Sequence, residues 1–230
     1  MFTAVSFWGG FMGEVHHESK AALLDAALSV FRIKGYTATR VEDICEAAEL
    51  TKGSFFHHFK SKEDLAIAAA EHWINVTSST FLGAQYRTLP DPLDRLLAYI
   101  DFRKTLLKGT LAEFTCFAGT MIQEVYETHP AVRDACETSI TGHAATLEED
   151  IEEAMRLYRV DSSISAASLA LYTQAVIQGA FILAKAKQGP AVAADCIDHL
   201  RRYIELVFAS RQPTAKNVRR KSAARAAKNG

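Results

Sequence analysis

Residues 51–62 hold Lys52, His57, His58, Lys60 and Lys62 and not one carboxylate, although acids crowd both flanks: Glu42, Asp43, Glu46 and Glu49 before them, Glu63 and Asp64 after. Cationic and imidazole side chains on a short acid-free rod suit contact with a polyanion. A rod of about two helical turns is also narrow enough to lie in the major groove of DNA. Gly53 lets the backbone of such a rod come close to its target. Plainer readings stand beside these. Phe59 and Leu65 fall on apolar stripes and belong to a core. Lys60 suits a solvated turn. His57 and His58 are adjacent, do not share a helix face, and so make a poor metal pair.

The rod needs elements to hold it. Thr39-Arg-Val-Glu42 has the spacing of a capping box and opens a short helix through Ala48, with Val41, Ile44, Cys45 and Ala48 inward. Thr51 caps a second short helix through His58, and Ser61, with Asp64 three residues on, opens a longer third. Two short helices joined by a few residues form a helix-turn-helix pattern. Ahead of it, Leu23, Ala26, Ala27, Val30 and Phe31 recur at helical spacing over 19–34, and Gly35 follows the helix end.

The remainder predicts helices alone: from Ser61 to the mid-80s, from Asp91-Pro92 to Lys108, over 111–127, from Pro130 to Tyr158, then an uncharged helix capped by Asp161, and a last one to Ser210. The fold class is all-α, with an N-terminal three-helix DNA-binding domain over 18–65 and a larger helical domain over 66–210. Residues 1–17 predict a disordered extension: its apolar part has no cation ahead of it and is interrupted by Gly9 and Gly10, which makes a poor signal peptide, and it is too short to span a bilayer. Residues 211–230 carry seven basic side chains and no acid and predict a disordered basic tail. The rest of the chain then holds 19 basic and 27 acidic residues, which argues against indiscriminate coating of nucleic acid. The uncharged run Ser162–Ala184 is long enough for a membrane helix. Its glutamines at 174 and 178 are costly in lipid, so a buried helix with no membrane partner is expected. The four cysteines lack metal or redox spacing; a cytoplasmic protein without metal or cofactor is expected.

One helix-turn-helix reads few base pairs, so a homodimer through the last two helices is expected, with Ala170, Ala175, Gly179 and Ala180 allowing close approach. The aromatic-rich stretch between 66 and 180 suits an apolar pocket for an unknown small-molecule effector, with Phe102, Phe114, Phe117, Met121, Tyr172 and Gln178 as candidate lining.

From Ser19 to Leu65 the chain resembles the tetracycline-repressor family. The resemblance rests on Gly35-Tyr36, Thr39, Ile44, Ala47-Ala48, the string Thr51-Lys52-Gly53-Ser54-Phe55-Phe56-His57-His58-Phe59, and Ser61-Lys62-Glu63-Asp64-Leu65. It implies a homodimeric transcriptional regulator, most often a repressor, bound to a palindromic double-stranded DNA operator and released by a ligand. It implies phosphate contacts for Thr39, Arg40 and Lys62. Thr51, Lys52, Gly53 and Ser54 would lie at base edges or phosphates, Phe55 at thymine methyls, and His57 and His58 at bases or phosphates. Two positions depart from the family. Glu49 stands where glycine is usual, and Phe56 stands where a tyrosine hydroxyl would reach a phosphate. Two other function classes remain: an α-helical enzyme, for which no nucleotide loop, nucleophile elbow or metal His pair is present, and an architectural DNA binder driven by the basic tail.

Overall fold

The computed structural model describes residues 9–160 and 163–209, with side chains from Glu18 onward. Among them every regular element is a helix. The 3.6-residue spacing of Leu23, Ala26, Ala27, Val30 and Phe31 buries all five on one side of α1 (Gly9–Lys34). α1 starts well before Ser19, so residues 9–17, expected as disordered, are its opening turns; once nucleated, a helix extends at little cost per residue. Residues 1–8 and the basic tail at 211–230 lie outside the described residues.

α2 (Val41–Ala47) and α3 (Lys52–His58) follow, then α4 (Lys62–Leu82) and a 3-10 turn at Gln85–Thr88. Between α2 and α3, Glu49 adopts φ 55, a left-handed conformation that costs a side-chain-bearing residue roughly 1–2 kcal/mol. α5 (Pro92–Thr105) starts as expected, with the Asp91 carboxylate accepting the Leu93 N–H at 2.9 Å.

Two long helices expected downstream are each broken. The first becomes α6 (Leu111–Phe114) and α7 (Phe117–Val125). Thr115 turns extended and its hydroxyl donates to the Leu111 carbonyl at 2.6 Å, while the Cys116 sulfur accepts the Gly119 N–H at 3.4 Å and restarts the helix. The second becomes α8 (Pro130–Ala145) and α9 (Glu148–Tyr158). Here the Thr146 hydroxyl donates to the His143 carbonyl at 2.7 Å and the Leu147 N–H takes the Ala144 carbonyl, a tighter turn that ends the helix. α10 (Ala166–Lys187) is capped by Ser165, whose oxygen accepts the Ser168 N–H at 3.1 Å; Asp161, the expected cap, lies outside the described residues. α11 (Ala191–Ala209) closes the fold.

The described residues divide into two compact units, 9–82 with 109–142 and 83–108 with 143–160 and 163–209. This division does not follow the 65/66 boundary: α4, α6 and α7 belong with the helix-turn-helix. The first unit is built on Leu23, Phe31, Ile44, Phe55, Leu65, Phe117 and Met121, all fully buried. The second packs α5, α9, α10 and α11 around Leu96, Ile100, Ile151, Leu169, Ile177 and Ile204.

Inside the second unit lies a polar cluster. The buried Tyr99 hydroxyl sits 2.9 Å from His143 Nε2 and accepts from Gln174 Nε2 at 3.2 Å. Gln174 is thus held by a partner, as a glutamine within an apolar helix must be. Burial, then the nearby Arg103 guanidinium, pushes the His143 pKa down to about 3. The unfolded chain therefore binds a proton below about pH 6.5 that the folded chain refuses, and stability present above that pH is lost as pH falls toward 3. By about pH 5 the loss should reach ~2 kcal/mol. Melting curves against pH should show this slope in the parent and its loss in His143→Gln.

Candidate nucleic-acid interface

α3 is short because its residues allow little else. Thr51 is extended and its hydroxyl accepts the Ser54 N–H at 3.2 Å, opening the helix; Phe59, extended again, closes it. Phe55 and Phe59 anchor the helix in the core, their ring centroids 5.8 Å apart. What remains outward is Lys52, Gly53, Phe56 and His57, with Ser54 and His58 half-buried. A Cβ at Gly53 would meet only the Thr51 hydroxyl, at 3.5 Å, so this side of the helix opens to solvent.

Several expected contacts are repositioned. Thr39 is not the cap of α2 and does not face outward. It is 1% exposed, and its hydroxyl donates to the Gly35 carbonyl at 2.6 Å. Arg40 occupies the cap position, and its backbone N–H donates to the Asp43 carboxylate at 2.8 Å. That bond, with Lys34 and the Arg40 side chain, holds the Asp43 carboxyl far below the usual carboxylate range. The Arg40 guanidinium itself remains exposed, 3.4 Å from the Asp43 carboxylate. Phe55 is fully buried, so it cannot touch a thymine methyl; a helix this short has to give one face to the core. His58 lies 2.7 Å from the Ser19 hydroxyl on α1. Lys52 pairs with Glu42, whose carboxyl this bond holds below its ordinary value, so part of the lysine's charge is already compensated.

Lys62 differs most from expectation. Its ammonium donates to the carbonyls of Tyr36 and Thr39, both at 2.9 Å, and lies 4.2 Å from the centre of the Tyr36 ring. Burial lowers its pKa. It staples the α1–α2 loop to the start of α4 rather than projecting toward a phosphate. Across that loop, the Glu124 carboxylate on α7 accepts the N–H groups of Tyr36 at 3.3 Å and Thr37 at 3.0 Å. No local sequence signal pointed to Glu124, because its partners are backbone groups 87 and 88 residues away.

Gly35 makes this clasp possible. Its φ is +81, and a Cβ there would fall within 2.1 Å of the Glu124 carboxylate. Gly35→Ala should therefore destabilise the first unit by about 3 kcal/mol, from backbone strain plus displacement of the carboxylate. Denaturant titration checks this. In a Glu124→Ala background the same substitution should cost only the strain, about 1–2 kcal/mol.

Comparison with known proteins agrees with this geometry. Residues 23–69 match "Bacterial regulatory proteins, tetR family" and residues 92–200 match "Tetracyclin repressor-like, C-terminal domain". The chain belongs to the tetracycline-repressor family. The HTH-type transcriptional repressor DhaR of Mycobacterium sp. (strain GP1) is 24% identical over 200 residues, 87% of this chain and 96% of that protein. The HTH-type transcriptional regulator YerO of Bacillus subtilis is 34% identical over 61 residues, 26% of this chain and 21% of that protein. A TetR transcriptional regulator structure from Chloroflexus aurantiacus superposes with a TM-score of 0.72 at 24% identity, covering 83% of this chain and 96% of that one.

As a tetracycline-repressor family member the chain is a DNA-binding transcriptional regulator and not an enzyme. Its fold is the all-α arrangement expected, an N-terminal helix-turn-helix domain and a C-terminal helical domain. The residues expected to line an effector pocket are divided between the two units. Phe114, Phe117 and Met121 lie in the first unit, where Phe117 packs 6.2 Å from Phe31 and 6.3 Å from Trp73. Phe102, Tyr172 and Gln178 lie in the second. Phe102 packs on Tyr86, and Gln178 is half-buried. Tyr172 lines no interior: it is exposed on α10 and stacks on Tyr203 of α11 at 4.9 Å. Of the small residues expected at a helix interface, Ala170 and Ala180 are buried within the unit, while Ala175 is exposed.

Proposed function

We propose that this regulator is a cytoplasmic homodimer that represses transcription from a palindromic operator and is released by a small-molecule effector. Residues 18–65 read the DNA, and residues 66–210 dimerise and hold the effector. The observation that carries the reading is the outward face of α3, free of acid and open at Gly53, in a chain of the tetracycline-repressor family. The repressor name of the DhaR relative supports the sign of regulation.

Support for the dimer comes from α10 and α11, which pack on one another and leave Leu171, Tyr172, Ile182 and Leu183 on one helix and Tyr203 and Leu206 on the other exposed. By length and composition α10 could also cross a membrane. The buried Gln174 and Thr173 and the half-buried Gln178 favour a protein partner over lipid. A second copy buries the same stripe about a two-fold axis and sets two α3 helices to face successive major grooves, about 34 Å apart.

Selection of bound duplexes from a random pool by the full chain tests the reading. An inverted repeat should emerge. A pool that stays random after several rounds, at moderate salt, would rule it out.

A further inference from the structure

The outward face of α3 carries an apolar group that the phosphate backbone does not require. Phe56 is 58% exposed, while its neighbour Phe55 is fully buried. The two rings meet edge to face, centroids 5.1 Å apart and planes at 80°, so a core residue sets the direction of the Phe56 ring. Around it the outward face holds Lys52, Gly53 and the exposed imidazole of His57. Lys52 is paired with Glu42, Gly53 has no side chain, and the Thr51 hydroxyl caps the helix. Lys52 and Phe56 are four residues apart and share one stripe, so Phe56 projects on the same side as the helix's cation.

A phenyl ring has no hydrogen to give a phosphate or a base edge. In the major groove the one apolar group that distinguishes base pairs is the C5 methyl of thymine. Resting on the proposal that α3 enters that groove, we infer that Phe56 is a specificity-determining residue that covers a thymine methyl in each half-site. It takes over the role that Phe55, buried in the core, cannot perform. The ring adds selectivity for A·T pairs at one position without adding a phosphate contact.

The test uses the duplex recovered by selection, with each thymine replaced in turn by uracil. That change deletes the methyl and keeps every hydrogen bond. Affinities are read by fluorescence anisotropy at fixed salt for the parent, Phe56→Ala and Phe56→Tyr; the side chain is exposed, and melting curves confirm that each variant folds. The parent should bind about four-fold more weakly when one particular methyl per half-site is removed. Phe56→Ala should bind more weakly overall and lose that four-fold difference, and Phe56→Tyr should retain it. Indifference of the parent to every thymine-to-uracil change would overturn the inference, as would an undiminished methyl effect in Phe56→Ala. A Phe56→Tyr variant that binds all sequences more tightly, with an unchanged salt dependence, would place the ring beside a phosphate that the new hydroxyl reaches and overturn it as well. If selection yields no preferred duplex, the DNA-reading proposal itself fails, an outcome distinct from these three.

Discussion

Gly53→Glu should lower operator affinity at least about 100-fold while leaving the melting temperature close to that of the parent. The two halves of this expectation have separate causes. In the free protein a Cβ at position 53 makes one ordinary contact, with the Thr51 hydroxyl at 3.5 Å, and the rest of the side chain extends into solvent. Folding therefore tolerates it. In the proposed complex the same side chain would point into the groove, hold the helix backbone away and set a carboxylate beside phosphates, a juxtaposition of like charges costing several kcal/mol. Each factor of ten in affinity corresponds to about 1.4 kcal/mol. Gly53→Ala should lose less, about ten-fold, since it adds bulk without charge. Anisotropy titration with the selected duplex reads both values. Normal binding by Gly53→Glu would mean that this side of α3 does not face the nucleic acid.

The second large effect concerns assembly. Leu183→Glu combined with Leu206→Glu should convert the proposed dimer to monomer and reduce operator affinity by about two orders of magnitude. Leu206 is 71% exposed and Leu183 45% in the single chain, so neither substitution disturbs the unit's own core. In a dimer through α10 and α11 the two carboxylates per protomer would lose their water without gaining a partner, which central interface positions tolerate poorly. A monomer keeps its α3 but engages one half-site alone, and the gain from binding two linked half-sites disappears. Sedimentation velocity gives the oligomeric state and anisotropy the affinity. A double variant that remains dimeric would move the interface elsewhere.

How far residues could be read in advance depended on the range of the interaction that places them. Thr51 was legible as the cap of α3, and Asp91-Pro92 as the start of α5, because both depend on bonds within three residues. Thr39 matched the same local pattern with Glu42, yet its hydroxyl turned back to Gly35 once the α1–α2 loop was held by Lys62 and Glu124. A local capping signal loses where tertiary bonds fix the loop. The breaks after Phe114 and Ala145 carry no glycine or proline; they follow from hydroxyls of Thr115 and Thr146 competing for helix carbonyls, a signal too weak to see along an apolar stripe. Phe55 and Phe56 are chemically identical, so only the register of a seven-residue helix against the core decides which one is outward. Lys62 looked like a phosphate ligand because its charge is visible in the sequence, whereas the carbonyls that capture it are not.

The most direct measurement is dimethyl sulfate protection on the selected duplex, since the reagent methylates guanine N7 in the major groove and adenine N3 in the minor groove. With the full chain bound, guanine N7 should be protected in two patches about ten base pairs apart, one per half-site, and Gly53→Glu should erase both. Protection of adenine N3 alone, or N7 protection that Gly53→Glu leaves intact, would contradict the placement of α3 in the major groove.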